Sequence, residues 1–176
     1  PGGQAFSARS TRGGSGRQFA LMCKPGASSR RDALEGLKNF GPTAMLHLLD
    51  HGIVNWPDRH RRLALMFDRP GGPRVMNALE EQIRAWDVEE VIGRLVKPLL
   101  PVLRELANRN VTHRAIRPTN MFLQGPQGGP VLLGECISHP AAFDQAAFLE
   151  PIESAMCNPA GRGDGTIADD LYALGA

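Results

Sequence analysis

The stretch "VTHRAIRPTNMFL", Val111 to Leu123, sets a polar turn between two apolar runs. His113 and Arg114 open it, and an Arg117-Pro118 step follows. Proline fixes its own φ and biases the preceding residue away from helix, so this step reads as a turn. Asn120 suits such a turn because a short amide can hydrogen-bond the local backbone. The position where a proton acceptor would be sought, between Arg114 and Ile116, is Ala115. The stretch is either an ordinary turn or a site that has lost its chemistry, and its surroundings decide between them.

On its C-terminal side lie two short apolar runs, "NMFL" (120–123) and "VLLG" (131–134), separated by "QGPQGGP". They read as a hairpin with a long loop. On its N-terminal side Asp87 to Asn108 is the longest periodic segment, with Val88, Val91, Ile92, Leu95, Leu99, Leu103 and Leu106 at helical spacing. Pro98 and Pro101 lie inside it. An interior proline costs about 3 kcal/mol, which burial of several Leu and Val side chains at about 1.5–3 kcal/mol each can offset. The expectation is a kinked helix, or two helices meeting near Pro98.

Further upstream, Ala5–Arg9 and Arg17–Lys24 read as strands joined by the Gly/Ser-rich turn "STRGGSG" (10–16). Ser28 or Ser29 is placed to cap a helix from Arg30 to Asn39 with Leu34 and Leu37 inward. "AMLHLLDHGIV" (44–54) is a strand or buried connector, "RRLALMFDR" (61–69) is a strand, and "PGGP" (70–73) breaks it. A helix is expected from Arg74 to Ile83. From Ser138 to Thr166 the pattern is poor, and "NPAGRGDGT" (158–166) reads as surface loop.

The chain has 176 residues, enough for one domain with a real core. Its net charge of +2 is too small to argue for a nucleic-acid partner. The basic clusters "RSTRGGSGR" and "DRHRR" read as solvated faces. Three widely spaced cysteines without a CxxC pair argue against disulfides and zinc, with a reducing cytosol as the default compartment. No apolar run reaches the ~18 residues of a membrane span. The sequence opens without a signal-peptide core and closes on "DDLYALGA", which looks like a helix start cut short; it reads as a fragment at both ends.

Together these pieces resemble the eukaryotic-type Ser/Thr protein kinase family. That family carries His-Arg-Asp-Leu-Lys-Pro-x-Asn at the turn, matched here by His113, Arg114, Ala115, Ile116, Arg117, Pro118, Thr119 and Asn120. "VLLGECIS" resembles the strand bearing Asp-Phe-Gly, with Glu135 at the metal-binding position; a frame one residue earlier would put Gly134 there. "DDLYALG" resembles the start of the large helix of the C-lobe, and Asp170 matches the Asp that braces the loop through its backbone. "FLEPIE" is a weaker echo of Ala-Pro-Glu. "LALMFDRPGG" resembles the hinge, with Met66 as gatekeeper and Asp68 beside it. "FALM" resembles the Ala-x-Lys strand and puts Met22 at the ATP-contacting Lys, with Glu35 as its helix partner and Gly3 as the last glycine of the phosphate loop.

The resemblance implies an α+β fold of two lobes, a β-rich N-lobe over residues 1–72 and the first part of a helical C-lobe over 73–176. It also implies a degraded site. Phosphoryl transfer needs charge neutralisation at the phosphates and a residue to receive the substrate proton. Ala115 supplies no acceptor and Met22 no charge. His113, Arg114 and Arg117 then remain as structural remnants, and no loop phosphorylation is expected. Asn120 and Glu135 present oxygens that suit a metal, against the plainer readings of a turn-stabilising amide and an exposed strand-end carboxylate. The implied function is a pseudokinase: a cytoplasmic signalling or scaffolding module with a protein partner and weak or absent ATP and Mg binding. The alternative is an atypical active kinase using Lys24, ~6.5–7 Å along the strand from Met22, and Glu135 in displaced roles. A third reading is an α+β domain without kinase ancestry.

Overall fold

The computed structural model describes residues 3–9, 17–125 and 128–176. The expected turn over 10–16 and the middle of the 124–130 loop lie outside them. Strand β1 (Gly3–Ala8) pairs antiparallel with β2 (Gln18–Cys23), close to the bounds read from sequence. Two longer strands, β4 (Leu48–Asn55) and β5 (Arg61–Asp68), complete an antiparallel sheet in the order β1-β2-β5-β4. Between them in sequence come β3 (Ser28–Ser29) and the short helix α1 (Arg31–Gly36). Ser28 and Ser29 do not cap this helix. They pair with Ser138 and His139 (β8), and Arg30 stands at the helix start without a side-chain cap.

The periodic segment forms one helical run with a change of pitch rather than two helices. Asp87 caps α2 (Val88–Glu90), a π-helical turn spans Val91–Val96, and α3 covers Lys97–Asn108. The π turn lets the Lys97 N–H reach the Ile92 carbonyl one residue before Pro98, which has no N–H to give. Leu99, Val102, Leu103 and Leu106 are buried. Those four contribute on the order of 6–12 kcal/mol, enough to hold the run together across its prolines. Val88 and Ile92, expected inward, are exposed.

No helix forms over 74–83. The N–H groups of Val75 and Met76 bond the carbonyls of Met121 and Pro118 instead, which ties this stretch to the hairpin strand β6 (Met121–Leu123). Strand β6 pairs with β7 (Val131–Leu133) as expected. The poorly patterned region holds α4 (Ile152–Ala155), and "DDLYALG" lies in α5 (Ile167–Gly175).

Two apolar clusters set the geometry. One joins α3, the hairpin and α5 through Leu99, Leu106, Ile116, Leu133 and Ala173. The other lies between the sheet and the hairpin and contains Cys23, Leu63, Leu65, Phe67 and Ile137, with Phe19, Leu21 and Phe122 against it. Because strand side chains alternate, Phe19, Leu21 and Cys23 face the hairpin and Ala20 and Met22 face away.

Candidate functional site

The turn 113–120 is held by groups its own sequence names. The Asp170 carboxylate accepts the backbone N–H of His113 at 2.6 Å and of Arg114 at 2.7 Å. Burial pushes the Asp170 pKa up, and those two N–H bonds work against the shift. His113 is fully buried. Its Nε2 lies 3.2 Å from the Gly134 carbonyl and its Nδ1 accepts from the Ala115 N–H at 3.2 Å. A donor at one nitrogen and an acceptor at the other is the neutral imidazole. Burial brings its pKa down to about 3.

Arg114, at φ +58°, turns its guanidinium inward onto Glu150 at 2.7 Å, and both side chains are almost wholly buried. Ser154 completes the contact at 3.1 Å. The sequence offered no acceptor for Arg114; Glu150 lay within the weak "FLEPIE" echo. Arg117 is half-buried and donates to Thr119.

The two residues assigned to a metal are brought close, and both are engaged. Asn120 donates from Nδ2 to the carbonyls of Ala115 and Glu135, each at 2.9 Å. Its Oδ1 packs against Gly134, where a Cβ would stand 2.1 Å away. The Gly134/Glu135 frame is explained by this contact: position 134 has room only for hydrogen. Glu135 folds back on its own chain, accepting from the N–H of Ile137 at 2.8 Å, the N–H of Ser138 at 3.0 Å and the Ser138 hydroxyl at 2.6 Å. Among the described residues no group of three His, Cys, Asp or Glu side chains stands together as a metal site.

The ATP-side assignments shift. Cys23, not Met22, faces Glu135; it is wholly buried, and burial followed by the Glu135 charge pushes its thiol up to about 12. Met22 and Met66 lie on the opposite face of the sheet, where Met66 pairs with Ala20. Sequence alternation alone does not say which face turns inward when both are apolar. Lys24 is exposed beyond the end of β2 and Asp68 is exposed at the end of β5. Glu35 points to solvent and pairs with Lys38 at 2.7 Å. Gly3 serves pairing, since a Cβ there would meet the Met22 carbonyl at 2.4 Å.

Several spaces lie about these residues; Glu35 borders one of about 470 Å³ and Asp68 one of about 340 Å³. Over Ala115, residues 138–144 pack down so that only about 10 Å³ remains among Arg30, His113, Arg117, Glu135 and Asp144. Beside β1 a cavity of about 530 Å³ opens between Phe6, Phe19, Phe122, Arg69 and Arg74. The Arg74 guanidinium sits 5.6 Å over the Phe122 ring. Of the six residues assigned to nucleotide, Gly3 alone lines this cavity. Phe19 belongs to "FALM" and Phe122 to "NMFL", and their place in those motifs is the signal that could have found them.

No protein-family model and no curated protein sequence matches the chain. Among solved structures it is similar to the crystal structure of Rad53 residues 1–466 in complex with AMP-PNP, at 12% identity and a TM-score of 0.59. The similarity covers 90% of this chain and 39% of that one. Rad53 is a protein kinase. The fold of this chain is therefore kinase-like, a mixed α+β architecture with an antiparallel sheet. Among the described residues no helix is long and apolar enough to cross a membrane.

Proposed function

We propose that the chain is a pseudokinase-type module, with residues 1–72 and 73–176 as the two lobes of a kinase-like domain that binds a protein partner in a cytoplasmic signalling or scaffolding role. The observation that carries this reading is the ground around Ala115. Ala115 offers no proton acceptor, the Glu135 oxygens are taken up by Ile137 and Ser138, and about 10 Å³ of space is left among the residues around Ala115. A general base contributes roughly 10²–10⁴ in rate, which Ala115 cannot supply. The buried side chain on β2 that faces Glu135 is the neutral Cys23, so that position on the strand supplies no cation.

The 530 Å³ cavity with its aromatic walls supports weak binding of a flat ring without metal. The test is thermal melting with ATP, with and without Mg, alongside a γ-phosphate transfer assay. The expected result is a small shift that Mg does not enlarge, and no transfer. A large Mg-dependent shift, or transfer that disappears in Glu135→Ala, would replace this reading with the active kinase using Lys24 and Glu135.

A further inference from the structure

The cavity beside β1 is lined by two cations, Arg69 and Arg74, and no Asp or Glu is among the described residues around it. Asp68 lines a different space. Glu81 stands behind the lining residue Asn77, whose backbone N–H it accepts at 2.6 Å. A turn fixes where the two cations stand. Residues 70–73 lie against the hairpin loop, where a Cβ on Gly72 would meet the Leu123 carbonyl at 2.6 Å. The Leu123 N–H bonds the Pro73 carbonyl at 2.8 Å, and the Val75 N–H bonds the Met121 carbonyl at 2.9 Å. Arg74 is thereby pinned opposite Phe122, and its guanidinium carbon lies 5.6 Å from the centre of that ring. Phe19 is held in turn by stacking on Phe67 at 5.4 Å. Rings and cations set before a ligand arrives lower the cost of binding it.

We propose that this cavity takes a small planar aromatic molecule bearing one anionic group, a carboxylate or a phosphate, with its ring against Phe19 and Phe122 and its anion on Arg69 and Arg74. The inference rests on the ring site proposed above and adds its charge and its direction. Arg69 belongs to the hinge-like segment "LALMFDRPGG" and Arg74 follows it two residues on. On β2 the side chain that faces Glu135 is the neutral Cys23. The anion therefore points toward 69–74. That is opposite to the direction the family resemblance gives the phosphates of a nucleotide, toward Glu135. An arginine edge bonds carboxylate and phosphate oxygens alike, so the cations define the shared chemistry and titration distinguishes the two sources.

The test is calorimetric titration of the whole chain, without Mg, with 2-naphthoate, 2-naphthyl phosphate and the uncharged 2-naphthamide. At least one anion is expected to bind about tenfold tighter than the amide, as charge-assisted bonds to arginine imply. The tighter of the two anions assigns the source. Arg74→Gln and Arg69→Gln are each expected to weaken that anion about fivefold and to leave the amide unchanged. Phe122→Leu should weaken all three probes. Arg31→Gln, an equal charge change at an exposed position on α1, should move none. The proposal is overturned if neither anion binds at millimolar concentration, or if the amide binds as tightly as both. It is equally overturned if both arginine variants keep full affinity for the anion, or if Arg31→Gln loses as much as they do. No readout here involves phosphate transfer. Failure of the anion site with no transfer from ATP leaves the pseudokinase reading standing, and transfer from ATP removes that reading and not this site.

Discussion

The pocket over Ala115 and the cavity beside β1 differ sharply in the space they leave. The first has closed to about 10 Å³ around charged residues that already have partners. The second stays open at about 530 Å³, walled by Phe6, Phe19 and Phe122. In the closed end His113 bonds Gly134 and Ala115, Asn120 bonds Ala115 and Glu135, and Asp170 accepts from the turn. These bonds hold the turn in place, although Arg114 Nε, Glu150 Oε1 and Gln145 Oε1 are buried without a hydrogen-bond partner. The open end is lined by aromatic rings and by Arg69 and Arg74.

If the closed end is scaffolding, breaking it costs stability first. The largest effect falls on the buried Arg114–Glu150 pair. Glu150→Ala leaves a buried guanidinium without its carboxylate and is expected to cost about 3–5 kcal/mol. Replacing both residues, Arg114→Met with Glu150→Leu, recovers most of it. Denaturant unfolding of the single and double variants checks this, and a double variant as unstable as the single would show that the pair is not the unit.

Next comes Asp170→Ala, which strands two buried N–H groups on the turn. The carboxylate's own burial is unfavourable, as its raised pKa shows, so the net loss is about 2–4 kcal/mol. Asp170→Asn keeps one acceptor and loses less. In the open end, Phe122→Ala is expected to reduce any ATP-dependent melting shift, read by thermal melting of the variant with and without ATP.

His113 gives the closed end a pH signature. Its folded pKa of about 3 lies below the unfolded value of 6.5. Between these values the unfolded chain binds the extra proton, so the contribution is full above pH 6.5 and is lost as pH falls toward 3. At pH 5 the loss is about 2 kcal/mol. Asp170 has the opposite sign: its raised pKa favours the folded state on the acid side of its titration. Stability measured from pH 7 to pH 5 checks the His113 loss, which His113→Phe is expected to flatten.

The frame of this site was legible in the sequence and its wiring was not. "HRAIRPTN" and "DDLYALG" placed His113, Asn120 and Asp170 together because each motif fixes a local backbone. The choice between Met22 and Cys23 was hidden, because Ala20/Met22 and Phe19/Leu21/Cys23 are both apolar faces and only the position of the hairpin selects one. The helix expected over 74–83 failed because Val75 and Met76 found backbone partners in the 118–121 segment, a pairing no local pattern announces. Arg30 and Asp164 meet across 134 residues of sequence, so neither carries a mark of its partner.

Glu35 gives the smallest effect and the sharpest contrast between the two ends. In a working site it would turn inward to a cation on β2. Here it faces solvent on α1 and holds Lys38, three residues on. The helix is kept in that setting by Arg109, which donates to the carbonyls of Gly36 and Lys38 at 2.8 Å each, and by Arg30 at the other end. An exposed pair of this spacing contributes under about 0.5 kcal/mol, so Glu35→Ala should leave the melting temperature within about a degree or two. It should also leave any ATP-dependent shift unchanged, because Glu35 lines neither the closed pocket nor the open cavity. A Glu35→Ala variant that abolished the ATP shift would show that α1 turns inward when nucleotide arrives, and that the closed end reopens with it.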